Sequence, residues 1–329
     1  MVDIVPSNPL VTIGLTSFNA EETVTRAVFS ALNQTWRPIE IVVVDDCSSD
    51  RTYKVLKNLS KDNPEIKVFL NEINCGVAFS RNRILEEASG EFVIFFDDDD
   101  ESSPNRIVSQ LKRLIDYEKQ YANGAPVICH TARKLLYPNG EMRIDPTMGQ
   151  EKGVAPSGIG VAKRILLGTP LKNGYGSCPT CSQMARLSTY RLLGGFDPSF
   201  RRSEDTDFNI RLALAGAHFV GISIPLVIQT MTKTAEKSIR DEYRYARLLL
   251  DKHKAIMGSQ KLFDFCCEWL KLKQTYLESN YLDFMAILLK LVFTNPFLVL
   301  KRLYLALPNM RINRSFRRFH DAGIDLKKL

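Results

Sequence analysis

A chain of 329 residues with 45% hydrophobic and 25% charged side chains can bury a substantial core, which excludes general disorder. The net charge of +7 is concentrated near one end. Residues 281–329 carry nine Lys or Arg and three Asp or Glu, a net +6, so the first 280 residues contribute only +1. The main body therefore lacks the basic face expected of a nucleic-acid-binding protein.

Apolar, β-branched runs alternate with helical periodicity in the first third of the chain, which is typical of βαβ units with a parallel sheet. A stripe of apolar residues beginning at Val24 predicts a helix, and Asn19 with Glu22 predicts a capping box before it. Strands are predicted at Leu10–Leu15, Ile39–Val44, Ile66–Leu70 and Phe92–Phe96. Further helices are predicted at about Thr52–Leu59, Val77–Ala88 and Asn105–Tyr121.

Polar residues follow each predicted strand, and in such sheets ligands gather at the carboxyl ends of the strands. No GxGxxG follows the first strand and no GxxxxGK[ST] occurs, so the dinucleotide-binding fingerprint and the P-loop are both missing. The segments after the four strands are Thr16–Asn19, Asp45–Asp50, Asn74–Gly76 and Asp97–Asp100.

Four consecutive carboxylates, Asp97–Asp100, lie directly behind a strand that should be buried. Carboxylates roughly 5 Å apart repel by about 3 kcal/mol per pair at an effective dielectric constant near 20. A divalent cation would reverse the sign of that energy, and all-oxygen ligands suit Mg²⁺ or Mn²⁺. The alternative is a solvated acidic turn that caps the helix starting near Pro104.

Seven cysteines, in a chain without an amino-terminal apolar signal segment, predict reduced thiols in the cytoplasm. Cys178 and Cys181 have the spacing of a zinc or redox pair. A structural zinc site would need a second such pair, and only the adjacent Cys266 and Cys267 remain, so small buried side chains on a strand are the preferred interpretation.

Residues 212–232 contain no charged residue, but glycine and proline interrupt them. We therefore expect a helix end followed by two short buried strands rather than a membrane span. His218, alone in this segment, is expected to be packed rather than catalytic.

The basic end of the chain combines apolar runs with Lys290, Lys301 and Arg302, and continues into Arg311, Arg314, Arg317 and Arg318. Because Pro296 divides it, we predict two amphipathic helices that lie on an anionic membrane surface. The alternative is that these helices cover the protein's own core or a dimer partner.

Six ordered motifs between about residues 9 and 230 make the chain resemble the family 2 glycosyltransferases, which have the GT-A fold. The motifs are Val11–Asn19, Ser30–Thr35, Glu40–Asp50, Asn74–Gly76 before Arg81 and Asn82, the Asp97–Asp100 quartet with Pro104, and Gly194–Asp197 before Glu204 and Asp205.

The resemblance implies a nucleotide site formed by Thr16, Phe18, Asp46, Arg81, Asp97 and Asp98. Asp46 matches the acid that receives the imide N–H of the base in a charge-assisted hydrogen bond. Phe18 stands where many relatives have Tyr, so its contact would be apolar. Ordinary core packing of Phe18, and an exposed helical position for Arg81, remain the alternatives.

In the same family a DxD motif binds the metal, which implies Asp97 and Asp99 as ligands of Mg²⁺ or Mn²⁺, with Asp99 the most direct. Glu204 and Asp205 match the acidic pair that carries the catalytic base in inverting relatives. Asp205 would remove the acceptor proton and Glu204 would orient the acceptor or the loop. Asp207 is explained by the dipole of the helix predicted from about Thr206 to Leu214.

The predicted fold class is thus α/β, a GT-A fold with a mostly parallel central sheet flanked by helices. Residues 1–100 would form the nucleotide-sugar half, 101–235 the acceptor half, and 236–329 a basic helical extension. The expected function is transfer of a sugar, with inversion, from a UDP- or dTDP-sugar to a saccharide or lipid-linked saccharide at the inner face of the cell membrane.

Two other functions compete with this one. A sugar-nucleotide pyrophosphorylase would need a glycine-rich basic loop after the first strand, which Thr16–Glu22 does not offer. A non-catalytic nucleotide-sugar-binding or scaffold protein of the same fold remains the alternative.

Overall fold

The computed structural model describes residues 8–137, 139–231 and 239–306, and the chain forms two compact units. The first unit holds residues up to Leu136 together with Met142–Thr230, and the second holds Tyr137–Glu141 and the chain from Met231. Arg311, Arg314, Arg317 and Arg318, on which the membrane prediction partly rests, lie outside the described residues.

Nine strands of the first unit form one sheet, in the order β3-β2-β1-β4-β8-β6-β9-β5, with β7 beside β6. The strands are β1 (Val11–Ser17), β2 (Ile39–Asp45), β3 (Ile66–Leu70), β4 (Phe92–Asp97), β5 (Glu101–Ser102), β6 (Val127–Leu136), β7 (Met142–Asp145), β8 (Gln183–Arg186) and β9 (His218–Thr230).

The helices of this unit lie between the strands along the chain. They are α1 (Val24–Leu32), α2 (Thr52–Asp62), α3 (Val77–Glu87), α4 (Arg106–Tyr117), α5 (Gly158–Leu167), α6 (Leu187–Leu192) and α7 (Glu204–Leu214). A π-helical turn at Glu118–Ala122 continues α4, and a 3₁₀ turn at Thr180–Ser182 precedes β8.

The predicted α/β class is confirmed, and the four predicted strands pair in parallel. Their largely apolar sequences suit a parallel sheet covered on both faces. Val11, Ile13 and Leu15 of β1 are fully buried. Beyond β4 the sheet is mixed, since β8 runs antiparallel to β4 and β6 while β9 runs parallel to β6.

Two local predictions are wrong. Helix α1 begins at Val24 without a side-chain cap, and Asn19 accepts hydrogen bonds from Ser49 instead, so there is no capping box at this helix. The segment after α7 is one long strand, β9, whose pairing with β6 shifts register beside Thr131 and Ala132. A bulge lets a strand bend without ending, which explains why the sequence suggested two strands.

The second unit is helical in its described part, as the predicted extension requires. Its helices are α8 (Ile239–Lys252), α9 (Gln260–Leu277), α10 (Tyr281–Thr294) and α11 (Pro296–Ala306), with a 3₁₀ turn at Lys254–Met257. The side chains of Ser259 and Asn280 cap α9 and α10. None of the described helices could cross a membrane alone, although α10 and α11 together, bent by 116°, have the length and composition to do so.

Candidate active site

The first loop and the Asp quartet meet at the carboxyl end of the parallel strands. Thr16 of β1 is level with Asp97 of β4 in the register of the two strands. Two residues further, the backbone N–H of Phe18 donates to Oδ2 of Asp98, at 2.9 Å. Thr16, Phe18 and the start of the quartet therefore lie together, as the convergence of strand ends predicts.

Asp46 is buried just beyond β2, and it holds the loop that follows β3. Its Oδ1 accepts from the side chain of Asn71 at 2.7 Å and from the backbone N–H of Cys75 at 3.0 Å. Its Oδ2 accepts from the backbone N–H of Gly76 at 2.7 Å. Gly76 has φ +88°, a conformation that favours glycine, and it precedes α3. Asp46 thus shapes this loop, and its contact with a nucleotide base stays a prediction.

The four carboxylates of the quartet have different surroundings. Burial raises the pKa of Asp98 to about 7, with Asp99 and Asp97 adding to the rise and the Phe18 N–H opposing it. Asp100 is 3% exposed, and burial together with the charges of Asp97 and Asp99 raises its pKa to about 9. Asp99 is half-buried, and its backbone carbonyl accepts from Arg26 at 2.8 Å. A shared cation would relieve this accumulation of charge.

Arg81 joins the quartet to the second acidic motif. Its Nη1 lies 2.5 Å from Oε1 of Glu204, and its Nη2 lies 3.5 Å from Oδ1 of Asp97. The guanidinium is buried, with its centre 5.4 Å from the ring of Phe196 and 5.9 Å from that of Phe95. The alternative of an exposed helical arginine is therefore wrong, and the carboxylates of two distant motifs share one partner.

Glu204 and Asp205 occupy the first turn of α7, which begins two residues earlier than predicted. Burial raises the pKa of Glu204 to about 6, although its ion pair with Arg81 opposes the rise. Asp205 is half-buried, and its Oδ1 accepts from the backbone N–H of Thr206 at 2.6 Å. The unpaired N–H groups at a helix amino terminus stabilise acidic side chains, and this explains all three acids in the first turn, including Asp207. Asp207 also forms an ion pair with Arg211, at 2.8 Å.

The Gly-Gly-Phe-Asp motif before α7 is held by Asn82, the neighbour of Arg81. The Asn82 amide donates to the carbonyl of Phe196 and accepts from its N–H, both at 2.7 Å. A Cβ on Gly195 would lie 2.3 Å from Oδ1 of Asn82, so this position has no room for a side chain. The turn therefore fixes where α7, and with it Glu204 and Asp205, begins.

Two features of this site were not predicted from the sequence: the burial of Asp100 and the presence of Cys181 beside it. One ligand atom each from Asp97, Asp100 and Cys181 lies within 4.8 Å of the other two. Cys181 is buried, but in the 3₁₀ turn rather than on a strand as expected. The spacing of Cys178 and Cys181 was the available signal, and it carried no information on their neighbours.

The residues present fit a divalent cation. Both carboxylate oxygens of Asp100 are buried and have no hydrogen-bond partner among the residues that the structure describes. A buried ionised carboxylate without a partner is costly, and a metal is one of the few groups that offset the cost. Asp97, with a carboxylate oxygen within 4.8 Å of one from Asp100, would supply a second oxygen ligand.

Residues 12–174 match the family model described as glycosyl transferase family 2. The match supports a family 2 glycosyltransferase domain. The domain's relatives include a putative teichuronic acid biosynthesis glycosyltransferase of Bacillus subtilis, TuaG, 36% identical over 140 residues that cover 39% of this chain and 56% of TuaG. They also include the UDP-Glc:α-D-GlcNAc-diphosphoundecaprenol β-1,3-glucosyltransferase WfgD of Escherichia coli, 39% identical over 107 residues that cover 32% of this chain and 41% of WfgD.

Among solved structures, the glycosyltransferase fold of this chain is similar to that of S. aureus TarS 1–349 in complex with UDP-GlcNAc. The TM-score is 0.57 at 20% identity, covering 81% of this chain and 72% of that one. This likeness shows the GT-A fold. The chain spans about half the length, or less, of several of the curated relatives it matches.

Proposed function

We propose that the protein is a metal-dependent, inverting glycosyltransferase that moves one sugar from a nucleotide-sugar donor to an acceptor hydroxyl. The observation that carries the proposal is the position of Arg81, which contacts both Asp97 and Glu204. In this reaction the proposed metal-binding motif and the acidic pair would act at the two ends of one reacting bond, and their shared contact with Arg81 supports that assignment.

The donor end of the site consists of the strand ends. Asp46, Thr16 and Phe18 would receive the base, and Arg81 with Asp97 and Asp98 would lie along the rest of the nucleotide. A cation held by Asp97 and Asp99 would neutralise negative charge on the departing diphosphate. The raised pKa of Asp98 and Asp100 fits this role, because burial, together with the neighbouring carboxylates, makes their ionised forms costly without a cation.

The acceptor end centres on Asp205. This carboxylate would remove the proton of the acceptor hydroxyl as its oxygen attacks the anomeric carbon on the face opposite the diphosphate. One base is sufficient for such a displacement, whereas a glycoside hydrolase would need two carboxylates flanking the bond. Glu204, paired with Arg81, would hold the start of α7 and orient the acceptor.

We propose a UDP-sugar or dTDP-sugar as the donor and a lipid-linked saccharide as the acceptor. The names of WfgD and of the TarS complex contain a UDP-sugar, and the name of WfgD also contains a diphosphoundecaprenol-linked sugar. The product would belong to a cell-surface polysaccharide. A cytoplasmic enzyme at the inner face of the membrane would meet both substrates.

Contact with that membrane would be made by α10 and α11. The side chains of Leu282, Phe293 and Phe297 are 87%, 82% and 84% exposed, an unusual state for large apolar groups. Lys301 and Arg302 lie on α11. Apolar and basic side chains on neighbouring helices suit an anionic lipid surface.

A panel of sugar nucleotides tests the proposed function. UDP- and dTDP-sugars, each with and without Mg²⁺ or Mn²⁺, should raise the unfolding temperature of the intact protein, and one of them should transfer its sugar to a polyprenyl-diphosphate-linked saccharide. GDP-sugars serve as the matched control. A panel in which no nucleotide sugar stabilises the protein and none is consumed would contradict the proposal.

A further inference from the structure

The antiparallel pairing of β4 and β8 brings the Cys178–Cys181 segment to the end of the Asp quartet. Phe92 is opposite Arg186 and Ile94 is opposite Met184. The same register, carried three residues further, places Cys181 opposite Asp97. The 3₁₀ turn at Thr180–Ser182 holds Cys181 there, with its sulfur within 4.8 Å of a carboxylate oxygen of Asp97 and of Asp100.

Asp100 lies in this cluster without a hydrogen-bond partner. The residue is only 3% exposed, and neither carboxylate oxygen is hydrogen-bonded to any described residue. The backbone N–H of Thr230 is near enough to lower its pKa a little, but it does not complete a hydrogen bond. Buried polar groups in folded proteins nearly always have a partner, so a carboxylate without one can offer both oxygens to a cation.

Two buried arginines lie near the cluster, and their hydrogen bonds go to groups other than Asp100. Arg106 donates to the side chains of Gln110 and Ser102 and to the carbonyl of Phe95. Arg133 donates to Asp145 and Gln229, each at 2.5 Å, and to the sulfur of Cys181 at 3.7 Å. Neither guanidinium therefore satisfies the Asp100 carboxylate.

We propose that Asp97, Asp100 and Cys181 form a cation site with two oxygen ligands and one sulfur ligand, selective for a divalent ion softer than Mg²⁺, such as Zn²⁺ or Co²⁺. Thiolate ligands favour such ions, whereas Mg²⁺ prefers oxygen ligands and retains its waters. The site differs from the Asp97 and Asp99 pair expected from the family resemblance, because it replaces Asp99 with a residue from a separate motif. Its use in donor binding rests on the proposed function, but its existence does not.

The test is a Co²⁺ titration of the intact protein, kept reduced without thiol reagents and without any sugar nucleotide. A cobalt–thiolate bond has a charge-transfer absorption, and the wild type should show one that saturates at one Co²⁺ per chain and resists excess Mg²⁺. Cys181→Ser should lose this component. Cys178→Ser, in the same segment but outside the cluster, is the matched control and should keep it.

Asp100→Asn provides the second variant, since it preserves the shape of the side chain. It should weaken Co²⁺ binding by at least about tenfold, as expected when one ligand of three is made neutral. Circular dichroism verifies that each variant is folded. If Cys181→Ser does not fold, the Co²⁺ titration of Asp100→Asn tests the proposed site instead.

A wild type without the absorption, an unchanged absorption in Cys181→Ser, or displacement of Co²⁺ by equimolar Mg²⁺ would overturn the proposed site. None of these results would affect the proposed function, which is measured by sugar transfer. Conversely, a protein that binds Co²⁺ through Cys181 but consumes no sugar nucleotide would refute the transferase and leave the site intact.

Discussion

Nη1 of Arg81 lies 2.5 Å from Oε1 of Glu204, and this buried ion pair ties the middle of α3 to the first residue of α7. The side chains of both residues are largely inaccessible, at 6% and 11% exposure. The pair links segments 123 positions apart in the chain. Because Asp97 also contacts Arg81, one guanidinium connects the Asp quartet to the acidic pair.

Arg81→Gln should lower the free energy of unfolding by about 3–5 kcal/mol, since it leaves Glu204 as a buried charge without its partner. Arg51→Gln is the matched control. Arg51 is also paired with a glutamate, Glu21, but its side chain is 79% exposed, so the loss there should stay below about 1 kcal/mol. Urea denaturation of the two variants gives the comparison, and equal losses would show that the buried pair adds no stability.

The two glycines before α7 provide a second matched comparison. Gly194 and Gly195 have φ of +67° and +76°, so alanine at either position costs about 1–2 kcal/mol in backbone strain. Only at Gly195 would the new Cβ clash with Asn82, whose amide cannot move without breaking two hydrogen bonds to Phe196.

Gly195→Ala should therefore be less stable than Gly194→Ala by a further 1–3 kcal/mol or so. Thermal or urea unfolding measures the difference. Similar stabilities of the two variants would mean that Asn82 yields easily and does not position the turn.

Asp98 makes the stability of the protein depend on pH. Its pKa rises from an ordinary 3.8 to about 7 in the folded state, so the folded protein binds this proton more tightly than the unfolded chain does. The contribution of the Asp98 proton to the stability of the folded state is therefore complete below pH 3.8 and is lost as the pH rises through about 7.

Asp98→Asn keeps an acceptor for the Phe18 N–H but does not titrate. Relative to this variant, the wild type should lose up to about 1.4 kcal/mol of unfolding free energy per pH unit between about pH 4 and 7. Denaturation curves in a chelator, which removes cations from the quartet, give the values. A difference between the two proteins that stays constant over this range would contradict the raised pKa.

The sheet could be predicted from sequence because β1, β2 and β4 are buried on both faces. A strand such as Phe92–Asp97 then appears as an uninterrupted apolar run, and its limits were predicted within one residue. Strand β9 was misjudged because Gly221 and Pro225 resemble breaks, whereas pairing with β6 continues across them through a register shift. That pairing is set by tertiary contacts, which local periodicity does not contain.

At the candidate site, too, local sequence predicted which residues are present but not which groups they contact. The acidic side chains at the strand ends were identified from their position in the chain, but their partners were not. Asp46 accepts from the backbone of Cys75 and Gly76, and backbone donors leave no trace in residue identity. Cys181 joins Asp97 and Asp100 through the non-local pairing of β4 with β8, so its spacing from Cys178 was uninformative.

The exposed apolar residues of α10 and α11 predict binding to anionic vesicles. The triple substitution of Leu282, Phe293 and Phe297 to Ser should abolish flotation with such vesicles while leaving the fold unchanged, because these side chains are more than four-fifths exposed. The control replaces Ile73 and Tyr175, which are 68% and 67% exposed on the first unit, with Ser. Binding by the triple variant equal to that of the wild type would exclude these helices as the membrane contact.

The most direct test of the proposed reaction compares turnover with donor binding in Asp205→Asn. If Asp205 is the base, sugar transfer should fall by about 10²–10⁴-fold while metal-dependent binding of the donor is retained. Asp62→Asn, at the exposed end of α2, should keep full turnover. Undiminished transfer by Asp205→Asn would contradict the account, because the acidic pair that Arg81 brings to the quartet would then lack its proposed catalytic role.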